Sequence, residues 1–282
     1  MTGELVAEAR ELAGLASHEA GLKIRELEDP LDLREACALL DRVWRPPAGS
    51  SLIMPELMQS IGHSGGYVAG AYADGRMVGA CVGLLATAGL HSHIAGVGSG
   101  SRGRGVGYAM KVHQRAWSLE RGITTVTWTY DPLISRNAYF NMAKLGAVPA
   151  EYLPDFYGAM QDEVNAGIES DRILVHWNLA DQRVSAACGG RPHVADPGPE
   201  PVVGLDAKPD GGPAAGRRDG EVVLVRIPAD MEAMRSADPG LALEWQRAVR
   251  DTLGGLMAEG SAVTGFTRAG WYVIERGRKG RS

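Results

Sequence analysis

Arg102-Gly103-Arg104-Gly105-Val106-Gly107 decides how this chain reads. The segment sits between a strand-like run and a long stretch of helical period. A helix that opens here leaves its first-turn N–H groups without intrahelical acceptors, and its aligned peptide dipoles add partial positive charge at that end. Glycines remove the Cβ atoms that would keep a phosphate from those amides. Arg102 and Arg104 add formal charge, so the segment suits a diphosphate.

Working outward, Gly105 to Arg121 carries Ala109, Val112, Ala116 and Leu119 at helical spacing, widened by Val106, Met110 and Trp117, with Gly122 as the stop. His93 to Val97 precedes it as a strand that Gly96 and Gly98 weaken. Thr124 to Tyr130 follows as a strand with Val126, Trp128 and Tyr130 on one face, broken by Asp131-Pro132. A helix from Ser135 to Leu145 closes on Gly146, and Arg172 to Leu179 reads as another strand. Upstream, Leu5 to Leu15 has helical spacing and Leu22 to Leu27 alternates as a strand. Asp29-Pro30 opens a helix whose Leu33, Ala36, Cys37, Leu40 and Trp44 share a face. Tyr67–Tyr72 and Arg76–Leu85 flank the hairpin turn Ala73-Asp74-Gly75.

From Asp181 to Gly220 prolines and glycines accumulate without apolar period, which reads as a flexible linker. Order resumes with a strand at Val222 to Ile227 and a helix capped by Asp238 with Pro239 at its first position. Ala262 to Phe266 and Trp271 to Ile274 close the chain as strands, before the basic tail Arg276 to Arg281.

Three readings of the glycine-rich segment compete. It can be a turn that binds nothing. It can be a dinucleotide loop, since Gly98-Ser99-Gly100-Ser101-Arg102-Gly103 matches G-x-G-x-x-G; the acid expected about 20 residues on is missing, because Ile123-Thr124-Thr125-Val126 stands there. No Gly-Lys-Ser/Thr follows, which excludes a Walker loop. Thirdly, R-x-x-G-x-G between strand and helix resembles the coenzyme A loop of the GNAT acyltransferase superfamily. Thr127-Trp128-Thr129-Tyr130-Asp131-Pro132, Ser135-Arg136-Asn137-Ala138-Tyr139-Phe140-Asn141 and Lys144-Leu145-Gly146-Ala147 resemble a bacterial branch of predicted acetyltransferases. So do Asp155-Phe156-Tyr157-Gly158, Asn165-Ala166-Gly167, Ser170-Asp171-Arg172 and, in the extension, Ile227-Pro228-Ala229-Asp230.

The resemblance implies an α/β fold of the α+β kind, a mixed sheet with a C-terminal β-α-β-β extension. Its parts would be a peripheral helix at 1–20, an acyl-coenzyme A domain at 21–180, the linker at 181–220 and the extension at 221–277. It implies acetyl-coenzyme A or another acyl-coenzyme A as co-substrate and no metal. The Gly103 to Gly107 amides, Val106 included, would hold the pyrophosphate with Arg102 and Arg104, and Asn137 would add a contact. A backbone N–H near Val97 would polarise the thioester carbonyl. Tyr139 is the candidate acid and Asp131 the candidate base; Asp131 reads equally well as a turn residue before a helix. Met142 stands where many relatives carry the acidic tyrosine, and Gly96 to Ser101 replaces bulkier residues and a proline.

An amine acceptor of lysine-like pKa near 10.4 is neutral in only about one molecule in a few thousand at pH 7, so deprotonation is part of the chemistry. A thiolate of pKa around 8.5 leaves more readily. The acceptor expected is a small-molecule amine, an amino acid or relative; an acyl-coenzyme A sensor without catalysis is the alternative, and a nicotinamide-dependent enzyme the third. Net charge is -5 and three cysteines stand far apart, which argues against nucleic acid, a disulfide framework and a cysteine-rich zinc site. No signal peptide or membrane-spanning run is read, so a cytoplasmic location and no membrane partner are expected. The apolar helix face of the extension needs cover, from the sheet, the acceptor pocket or a second copy in a homodimer. His91 and His93 share a strand face as metal-ligand candidates without a third ligand, and His113 reads as a core histidine. Tyr157, Glu163, Asp171 and Arg172 are candidates for the acceptor pocket, with Asp171–Arg172 a structural ion pair in the plainer reading.

Overall fold

The computed structural model describes residues 3–158 and 169–277. In chain order the first half holds α1 (Gly3–Glu19), β1 (Lys23–Glu26), α2 (Pro30–Trp44), α3 (Pro55–His63), β2 (Tyr67–Ala73), β3 (Arg76–Ala86), β4 (Gly89–Val97), α4 (Val106–Glu120) and β5 (Thr125–Tyr130). Then come α5 (Ser135–Tyr139), β6 (Val148–Leu153), β7 (Arg172–Asn178), α6 (Gln182–Cys188), β8 (Val202–Ala207), β9 (Pro213–Ala215) and β10 (Val222–Arg226). The chain closes with α7 (Met231–Ala237), α8 (Pro239–Val249), α9 (Gly255–Ala258), β11 (Ala262–Phe266) and β12 (Trp271–Glu275). These elements make a mixed α/β fold. The described residues form two compact units, 3–128 with Trp177–Gly189, and 129–158 with 169–176 and 190–277.

In the first unit the strands run β1-β2-β3-β4-β5, with the end of β7 beside β5. Neighbours from β1 to β4 are antiparallel, and β4–β5 is parallel. The β2–β3 turn has Asp74 at φ 49° and Gly75 at φ 75°, the left-handed pair that an Asp-Gly hairpin needs. Asp29 caps α2 by accepting the Leu31 N–H at 2.8 Å, and Pro30 fills the first turn, where no donor is missed. Leu33, Ala36, Leu40, Met58, Val68 and Val82 join α2, α3 and the sheet in one core.

Two strand glycines let helices approach closely. A Cβ on Gly96 would lie 2.8 Å from Leu40 of α2, and one on Gly79 would lie 2.7 Å from Met110 of α4. Gly96 therefore belongs inside β4, which starts at Gly89 rather than at the expected His93. The first helix is not peripheral: Ala9, Ala13 and Ala16 are buried and α1 packs along α4, because small residues at helical spacing allow close contact.

The second unit contains the β6–β7 antiparallel pair and a five-stranded sheet ordered β11-β12-β10-β8-β9. Its core includes Val223, Val225, Trp245, Val249, Leu253, Tyr272 and Ile274. The 181–220 stretch differs from the expected linker, since it carries α6, β8 and β9. β8 pairs parallel with β10, and β9 pairs antiparallel with β8. Val202–Ala207 carries a glycine and an aspartate where apolar residues would alternate, and Pro213–Ala215 is only three residues, so the neighbouring strands supply their order. The extension is thereby larger than β-α-β-β. The helix after β5 is also irregular: α5 passes into a π turn at Phe140–Lys144.

Candidate functional site

Residues 102–105 form an exposed loop, and Val106 and Gly107, the one buried and the other half-buried, are the first residues of α4. Gly103 has φ 78° and Gly105 φ 81°, conformations that suit glycine. Gly105 is the residue before the helix, and no side chain caps the first turn. The first helical bond is Ala109 N–H to Gly105 C=O at 2.9 Å, so the amides ahead of it face outward from the helix end. A Cβ on Gly107 would meet only Val97, at an ordinary 3.8 Å. Nothing in the protein itself demands that glycine, whereas an approaching anion would. Arg102 and Arg104 are exposed, and among the described residues neither guanidinium is in an ion pair.

The glycine- and serine-rich run ahead of the loop is held by its own backbone. Gly98 N–H donates to Val78 C=O at 2.9 Å, and Ser101 N–H to Gly98 C=O at 2.9 Å, giving a 3₁₀ turn at Ser99–Ser101. These bonds fix the direction of Val97. In an antiparallel pair, bonded and non-bonded rungs alternate. Gly98 bonds to β3, so the Gly79–Val97 rung is of the non-bonded kind and the Val97 N–H points away from β3. Ala95 points the same way, and its C=O accepts the Trp44 indole N–H at 3.2 Å.

That free side of β4 faces an opening. β4 pairs with β5 only at Leu90–Val126 and His91–Thr127, while its pairing with β3 runs on to Val97. Beyond His91 the two parallel strands part. The first unit thus combines an uncapped helix N-terminus, two free arginines and a splayed strand pair with an unpaired edge.

Under that opening lies a group the sequence reading did not single out. Lys111 of α4 is buried, and its Nζ donates to Ser92 Oγ at 3.2 Å and Gln114 Oε1 at 2.7 Å. Nζ also stands 3.7 Å from the Trp128 ring centroid and 5.3 Å from that of Trp177. The two indoles meet edge-on at 83°. Burial pulls the Lys111 pKa down to about 8. Beside it Arg115 is fully buried, donating to Leu179 C=O at 3.0 Å and Ser185 Oγ at 3.3 Å. The signal was present in the sequence as a polar stripe, Lys111, Gln114, Arg115 and Ser118, at helical spacing. Such a stripe ordinarily faces water.

Other candidates in this unit have partners of their own. His91 Nδ1 lies 3.1 Å from Thr127 Oγ1, bridging the last β4–β5 rung, and its ring centre is 6.4 Å from that of His93. Burial lowers both pKa values, for His91 with help from His93. Among the described residues no group of three His, Cys, Asp or Glu side chains could hold a metal. His113 Nδ1 lies 2.9 Å from the Tyr67 hydroxyl, as a satisfied core histidine should.

The remaining candidates belong to the second unit. Both oxygens of Asp131 are engaged: Oδ1 accepts the Leu133 N–H at 2.9 Å, and Oδ2 accepts from Arg235 at 2.7 Å. The geometry gives Asp131 the turn role instead of a free base. Asn137 is half-buried in the first turn of α5, its N–H bonded to Ile134 C=O at 2.9 Å. The half-buried Tyr139 accepts from Arg268 Nε at 2.9 Å, leaving its own phenolic proton available. Met142 is fully buried within the π turn.

Asp171 and Arg172 do not form the expected side-chain pair. Asp171 accepts from Tyr152 Oη at 2.7 Å and pairs with Arg250, while Arg172 donates to the Asp171 backbone C=O at 2.8 Å. Tyr157 Oη lies 3.1 Å from Thr129 Oγ1. Glu163, the segment Asn165-Ala166-Gly167 and the tail from 278 lie outside the described residues.

No family model matches this chain, and no curated protein does. Solved structures similar to it are GNAT-family acetyltransferases. One is the ribosomal-protein-S18-alanine N-acetyltransferase from Escherichia coli, 14% identical, covering 57% of this chain and 95% of that one at TM-score 0.45. A GNAT family acetyltransferase from Elizabethkingia anophelis with acetyl-CoA bound is 14% identical over 56% of this chain and 98% of its own, at 0.43. The acetyltransferase of GNAT family from Streptococcus pneumoniae is 20% identical over 55% and 98%, at 0.44. Each is a likeness of fold alone.

Proposed function

We propose that this protein transfers an acyl group from an acyl-coenzyme A to the amine of a small molecule, with an amino acid or related metabolite as the favoured acceptor. The observation that carries the reading is the pairing, within one unit, of the uncapped glycine-flanked start of α4 with the parting of β4 from β5. The amides of Gly103 to Gly107, with Arg102 and Arg104, hold the pyrophosphate, because a polyanion is best met by converging N–H dipoles and unpaired guanidinium groups. The pantetheine arm lies along the open edge of β4.

There the Val97 N–H donates to the thioester oxygen. The lone pair of the neutral amine attacks the carbonyl carbon, the C=O electrons move onto that oxygen, where the hydrogen bond is worth most, and the nitrogen gives up its extra proton to water. Collapse breaks the C–S bond, and the sulfur leaves with the electron pair. With a pKa around 8.5 the thiolate leaves without an acid. Asp131, tied to Arg235, is given no role as base.

Free thiol measured after mixing the protein with a panel of acyl-coenzyme A donors and small amines tests this directly. Release that requires one donor and one acceptor, and a coenzyme dissociation constant raised about tenfold or more by Arg102→Glu, is the expected outcome. Absence of release with every pair removes the enzymatic reading. A second reading, an acyl-coenzyme A sensor, is favoured by buried Met142 and by the engaged Asp131. It predicts saturable coenzyme binding, lost with Arg102→Glu, and no thiol release from any pair.

A further inference from the structure

β4 and β5 stop pairing at His91–Thr127, so the first residues past the last rung are Ser92 on β4 and Trp128 on β5. Lys111 touches both. Its Nζ donates to Ser92 Oγ at 3.2 Å and stands 3.7 Å from the Trp128 ring centroid. A single buried side chain from α4 therefore connects the two strands where the backbone ladder gives out. Gln114 accepts a second Nζ hydrogen at 2.7 Å and donates to Cys81 Sγ at 3.6 Å, which ties the group to β3 as well.

The arrangement is unusual for a core. Both acceptors are neutral, and among the described residues no carboxylate pairs with Lys111. An ammonium in such a place is held by hydrogen bonds and by the negative faces of the indoles, interactions that strengthen when water is excluded. Methionine or leucine would fill the same space without desolvating a charge. A charged group retained there against that cost points to work done by the charge.

We propose that Lys111 is a positioning residue for the coenzyme: its ammonium holds Ser92 and Trp128 together at the vertex of the splay and so sets the width of the opening for the pantetheine arm. This rests on the acyl-coenzyme A reading above. α4 thereby acts twice, gripping the diphosphate with its N-terminus and fixing the groove with a side chain a little over one turn further along. Loss of the proton removes the hold on Trp128, so the groove is set in one protonation state only.

The titratable groups around Lys111 leave the alkaline window clear. The Cys81 thiol on β3 and the Cys188 thiol on α6 are both pushed up by burial, away from the Lys111 value, Cys188 to about 11. His91 on β4 is pushed down by burial and is uncharged well before pH 8. Arg115, the next buried cation of α4, pairs with Glu8 of α1.

The test is binding of desulfo-coenzyme A, which has no thiol to titrate, to the full chain by calorimetry from pH 7 to pH 9.5. Wild type is expected to bind about tenfold more weakly at the upper end, the size of a lost desolvated cation–π contact, with the change centred near the Lys111 value of about 8. Lys111→Met is expected to bind about tenfold more weakly at pH 7 and to show no such dependence. Ligand-free tryptophan fluorescence should titrate over the same window in wild type and stay flat in Lys111→Met. If Lys111→Met does not fold, Ser92→Ala serves, since it removes an acceptor of the charged form and should move the midpoint to lower pH. Equal affinity and an equal pH profile in wild type and variant, or an unmoved midpoint in Ser92→Ala, overturns the positioning role while leaving the coenzyme site intact. Wild type that does not bind the probe at any pH overturns the coenzyme reading, and this inference with it.

Discussion

Lys111 shows how a single residue trades stability against geometry. Its folded pKa of about 8 lies below the roughly 10.4 of a free lysine. Between those values the unfolded chain binds more protons than the folded one, so stability rises with pH across that window, and below about 8 the full penalty is present. Lys111→Met removes the penalty. Thermal melting at pH 7 should show the variant more stable, by on the order of 1–2 kcal/mol after loss of the cation–π contact, which is a few degrees. The difference should shrink above pH 8 and vanish near pH 10; a variant less stable at pH 7 would mean that the cage more than offsets desolvation. The sequence showed Lys111 only as one polar residue in a helical stripe. Asp131 is the reverse case, because the sequence left its two roles balanced and Arg235, more than a hundred residues away in the chain, decided between them.

At the level of elements, the glycines of β3 and β4 govern how close the helices come. Gly96 looked like a weakness in a strand, but α2 lies where its side chain would be, with Leu40 2.8 Å from the ideal Cβ position. Gly96→Val should therefore force α2 outward and destabilise the protein by about 1–3 kcal/mol, visible as a lowered denaturation midpoint at unchanged slope. Because the same strand ends at Val97, the variant should also weaken desulfo-coenzyme A binding. An unchanged midpoint would show that α2 can move at no cost. Element boundaries elsewhere followed local chemistry: the Asp29-Pro30 start of α2, the Asp74-Gly75 turn and the Gly122 stop all stand where the sequence put them. β6, β8 and β9 did not, since short strands are ordered by the neighbours they pair with.

For the molecule as a whole, charge sets the terms on which a polyanion binds. The chain carries a net charge of -5, so under the proposed function coenzyme A would approach against the mean field and be held by the local positive end of α4 with Arg102 and Arg104. Arg102→Glu replaces a positive charge by a negative one in the exposed loop. Exposed charges are screened over about 8–10 Å at physiological salt and about 3 Å at 1 M. The affinity ratio of wild type to Arg102→Glu should accordingly fall from tenfold or more at about 20 mM salt to a few-fold at 1 M. A ratio independent of salt would place Arg102 away from the phosphates. The chain is also more evenly folded than its composition suggests, because the Pro- and Gly-rich 181–220 stretch contributes a helix and two strands.

By itself the sequence determined the local parts: the glycine-flanked loop ahead of a long helix, the alternating strand Thr125–Tyr130 and the capped starts of α2 and α8. Each depends on residues within a turn or two of one another, through backbone dihedrals, capping bonds and side-chain period. Only the tertiary structure decided that β4 and β5 part after His91, that the polar stripe of α4 is buried, and that Tyr139 and Asp131 each have a distant arginine partner. Those outcomes depend on which surfaces meet across the fold, and burial reverses the meaning of a polar residue without changing its place in the chain.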